Sequence, residues 1–117
     1  MMTLSPSELE DILDGLLNST ASGKLTWELY QGSEDEYFAS SSRFYYYVSS
    51  INEDSSPPCS LQIWRRKLEG EEKNMLVEEA LAPGGSLTAK LNALYFAARK
   101  QGLRLDTLKS DILGDLT

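Results

Sequence analysis

Arg43-Phe44-Tyr45-Tyr46-Tyr47-Val48-Ser49-Ser50-Ile51 and, beyond a polar loop, Cys59-Ser60-Leu61-Gln62-Ile63-Trp64-Arg65-Arg66 are the stretches that decide the fold. Aromatic and β-branched residues at this density suit a pleated surface. Successive side chains of a strand point to opposite faces. Phe44, Tyr46 and Val48 therefore share one face, and Cys59, Leu61 and Ile63 the same face of the next strand. Tyr45, Tyr47 and Trp64 fall on the other face, and Arg43 and Arg66 have their parity. The loop between the two strands, Asn52-Glu53-Asp54-Ser55-Ser56-Pro57-Pro58, is polar and closed by two prolines.

Working outward, Lys24–Tyr30 reads as a strand with Leu25, Trp27 and Leu29 on one face and Tyr30 on the other. Gln31–Asp35 reads as a polar turn and Glu36–Ser40 as a second strand. Leu68-Glu69-Gly70-Glu71-Glu72 reads as a hairpin turn. The segment Lys73–Ala82 alternates at Met75 and Val77 but also suits a helix; the hairpin before it favours a strand. Short turns between successive strands favour antiparallel pairing.

The flanks are helical. Ser5-Pro6-Ser7-Glu8 is a helix start: Ser5 caps, Pro6 fits the first position, and Glu8 completes a capping box. Leu9, Ile12, Leu13, Leu16 and Leu17 then form one stripe to about Thr20. After Pro83-Gly84-Gly85, Ser86 reads as a cap. Leu87, Leu91, Leu94, Tyr95 and Ala98 share a face, and Gly102 is placed for a left-handed helix end. A last helix is expected from about Leu105 to Leu116. The whole is an α+β two-layer sandwich: an N-terminal helix, a four- to five-stranded antiparallel meander and two C-terminal helices, with residues 1–117 as one domain. Leu13, Leu16, Trp27, Phe44, Leu61, Ile63, Leu91, Leu94 and Leu113 are its expected core.

Three features, the leading helix, Ser22-Gly23-Lys24-Leu25-x-Trp27 and Leu91-x-x-Leu94-Tyr95-x-x-Ala98-Arg99, resemble those of small bacterial proteins of uncharacterised function. The resemblance implies a helix–sheet–helix layout and carries no activity or site.

Composition limits the chemistry. The chain of 117 residues has no histidine and one cysteine, with 11 basic and 18 acidic residues for a net charge of −7. Histidine-based acid–base catalysis, a Cys–His nucleophile and an intramolecular disulfide are excluded. Cys59 reads as a small buried hydrophobe. The serines lack a Gly-x-Ser-x-Gly setting, although sequence alone does not exclude a serine–lysine pair. Glu34-Asp35-Glu36 lacks the spaced ligands of a calcium loop, and Pro83-Gly84-Gly85-Ser86 lacks a phosphate-loop signature. No catalytic, metal or cofactor residues are expected. Most of the excess acid lies in the N-terminal half; this charge argues against nucleic acid and anionic membranes as partners. With no signal-peptide pattern and one unpaired cysteine, a cytoplasmic location is expected.

What remains is the aromatic load on the sheet. Arg43, Tyr45, Tyr47, Trp64 and Arg66 form the expected partner-binding set, because Tyr, Trp and Arg are the residues enriched at binding hot spots. The competing reading is that cross-strand aromatic pairs simply stabilise the sheet. The expected function is a non-catalytic protein–protein interaction module: an adaptor, an inhibitor- or immunity-like acidic partner, or a self-associating subunit. A homodimer is the least demanding use of such a patch. The alternative is a small-molecule binder or small enzyme with a Tyr/Arg/carboxylate site.

Overall fold

The computed structural model describes residues 4–105 and 107–117. Its elements run α1 (Pro6–Ala21), β1 (Glu28–Tyr30), β2 (Ser33–Ser40), β3 (Phe44–Ser50), β4 (Cys59–Arg65), β5 (Met75–Leu81), α2 (Gly85–Gly102) and α3 (Leu108–Asp115). The five strands form one antiparallel sheet in chain order. This is the expected α+β architecture, with the ambiguous segment resolved as the fifth strand.

Helix α1 begins as its sequence dictates. The Glu8 N–H donates to Ser5 Oγ and the Ser5 N–H donates to Glu8 Oε1. These bonds to Ser5 hold the Glu8 carboxyl below its usual pKa. Leu9, Leu13 and Leu16 turn inward and are buried, as are Leu91, Leu94, Tyr95 and Ala98 of α2. The two helices run side by side in the same direction. Lys90 sits 2.8 Å from Asp14 and 3.7 Å from Glu10 near their starts. Near their ends, Gln101 donates to the Thr20 carbonyl and accepts from the Trp27 N–H. Beneath them the core takes in Trp27, Tyr37, Ala39, Val48, Cys59, Leu61, Ile63 and Ala80.

Several expectations need correction. The first strand is shorter than Lys24–Tyr30, because its early backbone has other partners: the Leu25 N–H donates to the Ser19 carbonyl and the Trp27 N–H to Gln101. Leu25 and Trp27 are nonetheless buried. The turn is tighter than Gln31–Asp35. Gln31 and Gly32, at φ 53° and 76°, close a two-residue hairpin with the positive φ values of a type I′ turn. Ser33, Glu34 and Asp35 belong to β2, where the register with β1 shifts.

Ser86 is not the cap of α2. Gly84 is, without a side-chain cap, while Ser86 Oγ donates to Glu10. Gly102 is not left-handed; Arg104 takes that conformation, at φ 59°. Gly102 serves a different need: the Tyr37 ring lies where its Cβ would be. The last helix starts at Leu108 rather than Leu105, and it does not join the core. Leu113 is 53% exposed, and none of the described elements packs its backbone against α3. Its short stripe lies beyond the edge of the two-layer core, in a molecule measuring 55 × 35 × 26 Å.

Candidate functional site

The helices cover one face of the sheet and leave the other open. Register fixes which side chains stand there. Phe38 pairs with Tyr47 and Tyr47 with Gln62, while Tyr45 pairs with Trp64. Their neighbours on the strands, Tyr37, Ala39, Val48, Leu61 and Ile63, are the buried ones. Alternation thus sends Tyr45, Tyr47 and Trp64 to the open face, as their parity predicts.

Tyr30, Phe38 and Tyr47 meet ring to ring, and Tyr45 stands opposite Trp64 in register. Tyr30 meets Phe38 and Tyr47 edge-on, with ring centroids 5.9 and 5.2 Å apart, and Phe38 stacks on Tyr47 at 6.2 Å. Such pairs favour offset or edge-to-face geometry because ring edges are positive and faces negative. Arg66 places its guanidinium 4.6 Å from the centre of the Tyr45 ring, a cation–π contact. Arg43, expected to edge the patch, stands just before β3 with its guanidinium 5.9 Å from the Phe44 ring. Trp64 donates its Nε1–H to Gln62 Oε1, and Gln62 donates to Glu79 Oε2. The shorter Gln62 leaves a dent of about 380 Å³ walled by Tyr30, Tyr47, Trp64, Lys73 and Asn74.

The chemistry of this face is that of contact. Burial, aided by Tyr30, Tyr45 and Glu36, raises the Tyr47 phenol above its ordinary pKa, so it stays a neutral donor. Burial also raises the Glu36 carboxyl. Tyr30, Phe38, Tyr45, Tyr47 and Trp64 are all only partly buried. Phe38 had not been singled out from sequence, although its place between the inward Tyr37 and Ala39 would have marked it.

On the covered face, Cys59 is buried, and burial pushes its thiol up to about 11, with Asp54 adding to the rise. A thiol held protonated is a poor nucleophile. The Tyr95 phenol is likewise pushed up to about 12 by burial, with Tyr37 next in effect. Glu78 is a buried acid that sequence reasoning missed. It shares its inward parity with Ala80, and its Oε1 accepts the Leu4 N–H at 3.2 Å. Among the described residues, no helix is long and apolar enough to cross a membrane. No family model, curated protein or solved structure matches the chain.

Proposed function

We propose that this protein is a non-catalytic protein–protein interaction module that binds its partner through the open face of the sheet. The observation that carries the proposal is the aromatic face made by the Tyr30–Phe38–Tyr47 ring cluster and the Tyr45–Trp64 cross-strand pair, with Arg66 laid on Tyr45. Rigid aromatics supply large contact area at little entropic cost, and a patch of this kind on a soluble chain usually means contact. Tyr45, Tyr47, Trp64 and Arg66 form its centre, and Arg43, whose guanidinium turns toward Phe44, flanks it just before β3. The partner is a protein, foreign or a second copy, rather than nucleic acid or a membrane, which a net charge of −7 disfavours.

Capture from cross-linked producing cells tests this. A Tyr47→Glu/Trp64→Glu variant that keeps the wild-type circular dichroism is expected to lose its partner at least tenfold. Ala93→Glu, on the exposed side of α2, is expected to retain it. The same proteins recovered equally with all three chains would contradict the proposal.

A further inference from the structure

Between the last turn of α2 and α3 lies a cavity of about 580 Å³, within the ~300–1,000 Å³ usual for small-ligand sites. Leu105, Leu108, Ile112 and Leu113 give it an apolar wall. Arg99, Lys100 and Lys109 give it three cations, and no acid is among its described lining. We propose that this cavity binds a free amphiphilic carboxylate, a fatty acid, with its chain along the leucines of α3 and its head at Arg99 and Lys109.

The backbone keeps this space open. The N–H groups of Leu103 and Leu105 donate to the carbonyls of Arg99 and Lys100, so the chain turns back on the last turn of α2. Arg104, at φ 59°, lies at the bend, and the Leu108 N–H donates to the Leu105 carbonyl where α3 begins. Side chains of α2 and α3 therefore line one cavity, yet no described element packs its backbone against α3. Leu108, Ile112 and Leu113 are left exposed. An acyl chain laid along them removes that apolar surface from water.

The cations decide what kind of occupant fits. The described salt bridges use none of Arg99, Lys100 and Lys109. Arg99 Nε is buried and has no hydrogen-bond partner among the described residues. A buried donor of a charged group is costly to leave unpaired, and a carboxylate answers an arginine fork with both of its oxygens. Lys109 adds a second constraint. At 100° per residue it falls between Leu116 and Leu113, inside the apolar side of α3 rather than at its margin. A purely apolar occupant, such as the leucine face of another helix, would bury that ammonium unpaired. A ligand with an apolar chain and one anionic end meets the leucines and the cations together.

The field of the molecule favours the same place. The chain carries a net charge of −7, so an anion is repelled from most of its surface and drawn to a corner with three cations. The same net charge, with Asp111 and Asp115 on α3 itself, opposes an anionic bilayer. A free carboxylate avoids that repulsion, because it brings one charge instead of a charged plane.

Isothermal titration calorimetry of the full chain with dodecanoate, kept below its micelle concentration, tests the proposal. One site per chain is expected, with acetate (the head alone) and dodecanol (the chain alone) each weaker by roughly tenfold or more. Arg99→Gln should raise the dodecanoate dissociation constant roughly tenfold, and Lys109→Gln, at an exposed position, roughly threefold. Circular dichroism verifies that both variants are folded. Lys24→Gln, in the separate apolar cleft beside α1, is expected to bind as wild type does. Dodecanoate binding no tighter than acetate, dodecanol binding as tightly as dodecanoate, or an affinity indifferent to both Arg99→Gln and Lys109→Gln would each overturn the proposal. Sedimentation with phosphatidylglycerol vesicles, in a chain that does not bind free dodecanoate, would overturn it in favour of a lipid surface. These results are independent of the open face, where binding is read by the Tyr47→Glu/Trp64→Glu variant.

Discussion

Adding one methyl group to Gly102 tests how α2 meets the sheet. The new Cβ would stand 2.5 Å from Tyr37 Cδ1 and 2.7 Å from Cε1, far inside contact distance. The ring has little room to yield. Tyr37 is fully buried, meets Tyr95 edge-on at 5.8 Å, and donates its hydroxyl to the Glu34 carbonyl at 2.6 Å. Two effects oppose each other. Replacing glycine by alanine inside a helix gains up to ~1 kcal/mol, and less at its last residue. Overpacking a closed site costs ~1–3 kcal/mol. The clash should win, leaving Gly102→Ala less stable by about 1–2 kcal/mol. Urea unfolding followed by tryptophan fluorescence reads this directly, since Trp27 is buried. In a Tyr37→Val background the ring is gone and the same substitution should be neutral or stabilising, a coupling that a double-mutant cycle isolates. A stabilised Gly102→Ala, or an equal cost in both backgrounds, would refute the reasoning.

Leu94→Ala should cost ~2–5 kcal/mol in the same assay, through lost burial and the cavity left behind; a loss under ~0.5 kcal/mol would mean that α2 does not pack as described. Cys59 should react with a thiol reagent at pH 8 at least ~100-fold more slowly in the native protein than in urea, because burial both hides and protonates it. Its raised pKa also gives a pH dependence. Above the ordinary thiol range the unfolded chain loses its proton first, so stability falls with rising pH until the folded thiol titrates near 11. Cys59→Ala should remove that part of the fall in the urea midpoint between pH 9 and 11. Lys90, whose pKa is raised chiefly by its hydrogen bond to Asp14, ties α2 to α1. Lys90→Met should lower the urea midpoint slightly in dilute buffer, and the difference should close in 1 M salt as the ion pairs are screened.

Alternation and helical periodicity carried the architecture. The order of elements, the sheet direction and the sorting of Tyr45, Tyr47 and Trp64 away from Leu61 and Ile63 follow from side-chain parity. Where the reading failed, a contact distant in sequence had overridden a local signal. Trp27 lies in a strand pattern, but Gln101 takes its N–H. Gly102 is at a helix end, yet its lack of a side chain serves the Tyr37 ring 65 positions earlier. Leu113 belongs to an apolar stripe, and periodicity gives a stripe's direction without saying whether the same chain covers it. For the site, parity placed the tyrosines and tryptophan; the turn of Arg43 toward Phe44 and the dent above Gln62 depend on rotamers and on neighbouring strands, which no local pattern encodes.

The open face as a binding surface is tested most directly by the contacts it makes in the producing cell. A photo-reactive benzoyl-phenylalanine placed at Tyr47, and in a separate chain at Ala93, is irradiated there and the adducts are identified by mass. The expected result is a protein adduct formed from position 47 and absent from position 93. No adduct at position 47, or the same adducts from both, would contradict the account.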